Sequence, residues 1–271
     1  MRGLIKAFCC ALGLMMLIIP LQGYAHEKGQ TQVTYLGNEG LLFVDGSTKV
    51  LFDPFFHNDY GSYQLVPDRV RRAIFESTPP FDGVSVIVVS HAHGDHFEAQ
   101  DVVKYLKEQA HVKLVGPRQA IDEVLKLDSS LEKQLISIAL DFGDKPIATT
   151  LPNIKIESVR IPHAGWPQRK DVSNLVHRVT LNKRKTIMHM GDADPNDSHF
   201  EPFEAHWRSQ PTDVAFPPYW FYITEQGPKI LDTRINANRS VGIHVPMSVP
   251  NALRKAEREF FHTPEQIVIV E

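Results

Sequence analysis

The chain has 271 residues, 42% of them hydrophobic and 23% charged, with a formal net charge of −3. This length suits one large α/β domain or two small ones. The mild acidity argues against a nucleic-acid polyanion as the main substrate, so a small molecule is the expected partner.

The first 25 residues read as a segment apart. Arg2 and Lys6 precede an apolar run over residues 7–19, and Pro20 and the small-residue exit Gly23-Tyr24-Ala25 follow it. This is the pattern of a cleaved secretory signal peptide, residues 1–25, with cleavage after Ala25. The run is short for a bilayer span, so no stable membrane anchor is expected and the destination is periplasmic or secreted. Both cysteines, Cys9 and Cys10, would leave with it, and 27 basic residues would remain against 32 acidic ones. The mature chain, 26–271, then has no disulfide and no thiolate ligand to offer a metal.

Residues 31–36, 40–44 and 49–52 predict three short strands, with turns at Asn38-Glu39-Gly40 and Asp45-Gly46-Ser47. The third strand ends at Asp53-Pro54, a pair that often only forms a turn. A helix is predicted over 67–76, closed by Pro79-Pro80. In the irregular stretch before it, Phe55, Phe56, His57 and Tyr60 are expected to pin the loop down.

The most informative stretch follows. A β-branched run over residues 84–89 predicts a buried strand, and it ends in Ser90-His91-Ala92-His93-Gly94-Asp95-His96. A packed interior rarely satisfies six imidazole nitrogens in one turn, whereas a metal centre does so at once. His91 and His93 are two apart and can aim at one point; Asp95 and His96 are adjacent and cannot easily crowd onto the same ion. They could hold a second one. Neutral imidazole and carboxylate suit zinc and its neighbours.

Beyond this loop, helices are predicted over 99–109 and 117–127, and strands over 112–115, 135–138 and 154–161. The last leads into Pro162-His163, where a lone histidine would ordinarily be a turn residue. A hairpin over 174–181 and 186–190 runs into Gly191-Asp192-Ala193-Asp194. His189 reads as a core residue or one behind a site, Asp194 likewise or as a turn former. A helix over 199–209 would carry His199 and His206 on the surface. After a strand at 213–216 come two prolines and four aromatics, Tyr219 to Tyr222. These either wall a substrate pocket or plug the core, with Trp220 and Tyr222 the candidates for the pocket. A strand over 240–245 containing His244, a helix over 249–261 and a closing strand over 266–270 complete the prediction.

His-x-His-x-Asp-His after a hydrophobic strand resembles the signature of the metallo-β-lactamase superfamily. The Phe52-Asp53-Pro54 strand end, the opening Thr34-Tyr35-Leu36-Gly37 and Asn174-Leu175 resemble the branch of ascorbate-phosphate lactonases and related metal-dependent hydrolases. Asn38-Glu39-Gly40 departs from that branch, which often has a histidine after the glycine. The resemblance implies an α/β fold, a four-layer αβ/βα sandwich of two mixed sheets flanked by helices, as a single domain over 26–271. It implies that His163 joins His91 and His93 at one metal, that His244 joins Asp95 and His96 at a second, and that Asp192 bridges the two. It implies that Asp53 supports the histidine loop from behind, since metal-bound histidines need an acceptor on their other nitrogen.

The function implied is that of a hydrolase with two divalent metal ions. Zinc is the default occupant, with manganese or iron allowed. The metal-bound hydroxide is the nucleophile, with Asp95 and Asp192 the catalytic carboxylates. An ester, lactone or phosphodiester is the expected bond. A β-lactam hydrolase and a non-catalytic periplasmic metal-binding protein are the alternatives. The oxidoreductase relatives typically carry Glu at the position of His93, which argues against a di-iron redox role. The oligomeric state is not legible.

Overall fold

The computed structural model describes residues 30–271, so the predicted signal peptide lies outside the described residues. The first half runs β1 (Gln32–Gly37), β2 (Gly40–Asp45), β3 (Thr48–Phe52), α1 (Asp68–Phe75), β4 (Val86–Val88), α2 (Ala99–Glu108), β5 (Lys113–Pro117), α3 (Arg118–Leu127) and β6 (Leu135–Ile138). The second half runs β7 (Ile147–Leu151), β8 (Ile154–Arg160), β9 (Leu175–Leu181), β10 (Lys185–His189), α4 (Asp197–Phe200), α5 (Glu204–Arg208), β11 (Thr212–Phe216), α6 (Gly227–Thr233), β12 (Ala237–Ser240), α7 (Asn251–Lys255) and β13 (Ile267–Ile269).

The strands form two mixed sheets, in the order β13-β1-β2-β3-β4-β5-β6 and β12-β11-β10-β9-β8-β7. The first is antiparallel across its opening hairpins and parallel from β3 onward, as crossover helices require. Strand alternation explains why the sheets face each other. Leu41, Phe43, Val50, Phe52, Val86 and Val88 point to one side and meet Ile156, Val179, Leu181, Ile187 and Phe216 of the other sheet. The intervening Leu42, Leu51 and Ile87 point outward and pack under α1, α2 and α3 through Val70, Ile74, Val102, Leu106, Ile121 and Val124. On the far side Val176, Met188 and Ala215 pack under the later helices through Phe200, Trp207, Ile230 and Leu253. Each large side chain so buried contributes roughly 1.5–3 kcal/mol. The result is the four-layer αβ/βα sandwich, with apolar residues on both faces of the central strands.

Three elements differ from the sequence prediction. The helix expected over 199–209 is broken into α4, a 3₁₀ turn over Glu201–Phe203, and α5. Pro202 stands in the middle and has no N–H for an i→i−4 bond. The helix expected over 249–261 is only α7, because Glu257 takes a left-handed φ of 50° just beyond it. The strand expected over 240–245 pairs earlier, as β12, and Gly242 and Ile243 make only isolated bridges to Phe260 and Pro218. Strand β7 and helix α6 have no counterpart in the prediction. β7 is a Thr-containing edge strand with little buried surface, so its hydrophobic signal is weak. Among the described residues no helix is long and apolar enough to cross a membrane.

Candidate metal centre

Strand ends β3 and β4 build the first part of the site. Asp53 follows β3 with a left-handed φ of 39°. Its carboxylate accepts the Ser90 N–H at 2.8 Å, the Ser90 hydroxyl at 2.5 Å and the His96 Nδ1–H at 2.9 Å. Ser90 Oγ, having spent its one proton on Asp53, accepts from His91 Nδ1 at 3.1 Å. His163 Nδ1 donates to the Ala164 carbonyl at 2.7 Å. In all three histidines the rear nitrogen is thus a donor, and Nε2 is left with a lone pair for a metal, as ligation requires.

The ligand atoms fall into two groups. His91 Nε2 lies 3.1 Å from His93 Nδ1, His93 Nδ1 lies 3.2 Å from His163 Nε2, and His163 Nε2 lies 3.2 Å from Asp192 Oδ2. On the other side, His244 Nε2 lies 3.1 Å from Asp192 Oδ1 and 3.3 Å from Asp95 Oδ2. His96 Nε2 lies 3.4 Å from Asp192 Oδ1 and 3.6 Å from Asp95 Oδ2. Ligands at ~2.0–2.2 Å on the corners of a tetrahedron stand about 3.3–3.6 Å apart. Both groups approach that spacing, with His91 and Asp192 farther apart at 4.0 Å. Asp192 turns one oxygen to each group.

His96 Nε2, Asp192 Oδ1 and both ring nitrogens of His244 are buried and make no hydrogen bond. Buried polar atoms are rarely left so, and divalent ions at these two points fit the donor set. The electrostatics agree. Burial and the neighbouring His163 push His93 down to about 4, so its ring is a neutral base. Burial also opposes charge on His244, yet Asp192 and Asp95 outweigh it and hold its pKa up at about 10. The second group of residues draws positive charge to itself.

Asp192 is placed by its neighbours. Its N–H donates to Asn174 Oδ1 at 3.0 Å, and Asn174 Nδ2 donates to the carbonyls of Ile161 and Met190, both at 3.3 Å. The Asp192 carbonyl accepts the Ala164 N–H at 2.7 Å, tying the His163 loop to it. Gly191 has a φ of 52°, and a Cβ there would stand 2.4 Å from Asn174 Oδ1 and 2.8 Å from Ser90 Cβ. Gly191→Ala is therefore expected to destabilise the protein by about 2–4 kcal/mol, through overpacking and a left-handed φ, and to lower its metal content. An unchanged melting temperature with full metal content would overturn that account.

His91, His93, Asp95, His96, His163, Asp192, His244 and Asp53 thus meet in one place. The two candidate pocket aromatics part company. Trp220 lines the cavity in front of the metal centre, its ring 5.1 Å from His244 and its indole N–H donating to the Ala193 carbonyl at 3.0 Å. Tyr222 is a correction: it is buried in the outer core against Gly242 and does not line the cavity. The cavity, about 530 Å³, is also lined by Tyr60, Tyr63 and Arg169. Phe55 and Phe56 are buried in the core, whereas Tyr60 is exposed at the cavity.

His199 is also a correction, because it is buried rather than on the surface, with Nδ1 3.4 Å from Asp194. His189 is a core residue that stacks on Phe52 at 5.2 Å. His177, which the sequence reading passed over, is wholly buried between the sheets. Its Nε2–H donates to the Val89 carbonyl at 3.1 Å, just ahead of the histidine loop, and Nδ1 accepts from Ser158 at 3.0 Å. Burial pushes its pKa down to about 4 and keeps it neutral. Glu39, a turn residue by sequence, is wholly buried beside His96, Asp192 and His189.

Residues 32–226 match the family model described as the beta-lactamase superfamily domain. The chain belongs to that superfamily. It is similar to a UPF0173 metal-dependent hydrolase of Pyrococcus furiosus, 26% identical over 161 residues, or 59% of this chain and 61% of the relative. The chain therefore spans about three fifths of the length of the curated relatives it matches. In three dimensions it resembles the metallo-β-lactamase fold protein YhfI of Bacillus subtilis, with a TM-score of 0.60 at 19% identity, covering 89% of this chain and 100% of the other. It also resembles Igni18, a metallo hydrolase of Ignicoccus hospitalis, with a TM-score of 0.61 at 14% identity, covering 89% and 99%. These likenesses establish the metallo-β-lactamase fold.

Proposed function

We propose that this protein is a metal-dependent hydrolase of small molecules, exported to the periplasm or secreted, that cleaves an ester, lactone or phosphodiester. The observation that carries the reading is the pair of four-ligand groups sharing Asp192 at the floor of an open cavity. His91, His93 and His163 would hold one divalent ion and Asp95, His96 and His244 the other, with Asp192 fixing their separation. Zinc is the first expectation for both. When bound, such ions supply Lewis acidity and a water of lowered pKa.

The chain's own residues do the rest. Ser90 and Asp53 hold His91 and His96 in the tautomer that ligates. Asp95 and Asp192, whose ionised forms the neighbouring histidines favour over the cost of burial, stay ionised and in turn hold His96 and His244 protonated when no ion is present. Tyr63, whose ring centre stands 4.1 Å from that of His244, and Trp220 form an apolar wall that orients a substrate and thins the water beside it. Arg169 lines the cavity as well, and a substrate carrying negative charge would meet it.

The test is elemental analysis of the purified mature protein, then a panel of aryl esters, lactones, bis(p-nitrophenyl) phosphate and nitrocefin. Two ions per chain and turnover of an ester, lactone or phosphodiester, abolished by a chelator and restored by the ion, are expected. A fully loaded protein inert on the whole panel would overturn the reading, and turnover of nitrocefin alone would replace it with the β-lactam one.

A further inference from the structure

Glu39 is the buried group that the seven-ligand scheme leaves unused. It is 0% exposed, and neither carboxylate oxygen makes a hydrogen bond. No lysine or arginine of the described residues is ion-paired with it. Its approach of 3.8 Å to His96 Nδ1 is too long for a hydrogen bond, and that nitrogen is already engaged by Asp53 at 2.9 Å. Its approach of 3.6 Å to His189 Nε2 is equally long, and that nitrogen donates instead to the Glu39 backbone carbonyl at 3.0 Å. A bare buried carboxylate is costly unless a cation lies beside it.

Two groupings could supply that cation. Glu39, Asp53 and His189 lie close enough to ligate together, as do Glu39, His96 and Asp192, each set placing its ligand atoms within 4.8 Å of one another. In the first, Asp53 already accepts three hydrogen bonds, and the His189 nitrogen that stands 3.6 Å from Glu39 is Nε2, a donor to the Glu39 carbonyl. In the second, Asp192 Oδ1 and His96 Nε2 are both without partners. Atoms bound to one ion at ~2.2 Å can stand up to about 4.4 Å apart on opposite sides of it, which is close to the 4.8 Å that bounds this set.

We propose that Glu39 is an additional ligand of the metal position formed by Asp95, His96, Asp192 and His244. This inference rests on the two-ion reading above. It makes the two positions chemically unequal. The first offers three imidazoles and one shared carboxylate; the second offers two imidazoles and three carboxylates. Carboxylate oxygens suit manganese, whereas imidazole suits zinc. The second position therefore accepts manganese more readily than the first, while zinc at equal concentration binds both more tightly.

Two measurements on the full mature chain test this. In crystals of the wild-type protein soaked with Mn²⁺ in large excess over Zn²⁺, anomalous scattering at the manganese edge should place Mn²⁺ at the second position with a Glu39 oxygen within bonding distance. Manganese there with both Glu39 oxygens beyond 3 Å, or manganese at the first position instead, overturns the proposal, and this readout needs no variant to fold. In zinc-primed protein, Mn²⁺ titration followed by electron paramagnetic resonance should show Glu39→Gln weakening Mn²⁺ by about tenfold or more, with Zn²⁺ at the first position unchanged. Equal Mn²⁺ affinity in Glu39→Gln and wild type also overturns it. Failure of the hydrolase reading looks different: two ions bound with Glu39 attached, and no substrate turned over.

Discussion

Asp192→Ala is expected to reduce bound metal from two ions per chain to one or none, and to lower any metal-dependent turnover by well over ~100-fold. Loss of a group that merely orients a ligand costs roughly 10–100-fold in metal affinity or activity. Asp192 does more, because its two oxygens face the two groups separately, Oδ2 toward His163 at 3.2 Å and Oδ1 toward His244 at 3.1 Å. Asp192→Asn keeps the shape and one acceptor oxygen, but turns an NH₂ toward one of the two positions. One ion per chain is the expected outcome for that variant. Asp194→Ala serves as the control. Its carboxylate faces His199 at 3.4 Å, away from the metal centre, and two ions should remain. Elemental analysis after gel filtration reads all three, and two ions retained in Asp192→Ala would falsify the bridging assignment.

How much of this was legible follows from the range of the interactions. The loop from His91 to His96 announces itself because its chemistry is dense over six residues and a strand aims it. Strand alternation is equally local, so the two-faced strands β2, β3 and β4 could be read directly. Glu39 could not. An acid in a two-residue turn between apolar strands ordinarily faces water, and its burial comes from elsewhere in the chain. His244 N–H donates to the Asn38 carbonyl at 3.0 Å and seats the late loop over that turn, some two hundred residues away.

His177 was legible in principle. It shares strand parity with Leu175, Val179 and Leu181, all facing the inter-sheet core. A lone histidine on an apolar face needs two hydrogen-bonding partners, and it finds them in Ser158 and the Val89 carbonyl. Tyr222 misled for a related reason. In the four-residue aromatic run the 3₁₀ turn over Tyr219–Tyr222 splits the rings between two sides, Trp220 to the cavity and Phe221 and Tyr222 into the core. Composition alone does not say which ring goes where.

The largest effect on stability is expected at a residue the metal never touches. Arg178, on β9, is wholly buried. Its Nε donates to Glu157 at 3.0 Å, one terminal nitrogen donates to the carbonyls of Trp207 at 3.1 Å and Gln210 at 3.2 Å, and the other to the carbonyl of His206 at 3.3 Å. Those carbonyls belong to the last turn of α5 and the residues just after it, where helical N–H partners run out and His206 alone of the three accepts one, from Ser209 at 3.2 Å. The guanidinium also stacks over Trp207 at 5.5 Å. One cation thus closes the helix that Pro202 had already interrupted and docks it on the outer face of the second sheet. Arg178→Met keeps the apolar stem but takes the guanidinium away from the buried Glu157 carboxylate, which is left with Lys155 at 3.0 Å, and from three carbonyls, which are left with Asn236 and Ser209. Removing one partner of a buried pair costs about 3–5 kcal/mol, and in a chain of this size each kcal/mol lowers the melting temperature by about 2–4 °C. Replacing Glu157 with Gln as well should recover part of the loss, because the abandoned charge goes with it. Thermal unfolding of the single and double variants decides the matter: a melting temperature within a degree or two of wild type in Arg178→Met would mean that the helix is held by packing alone.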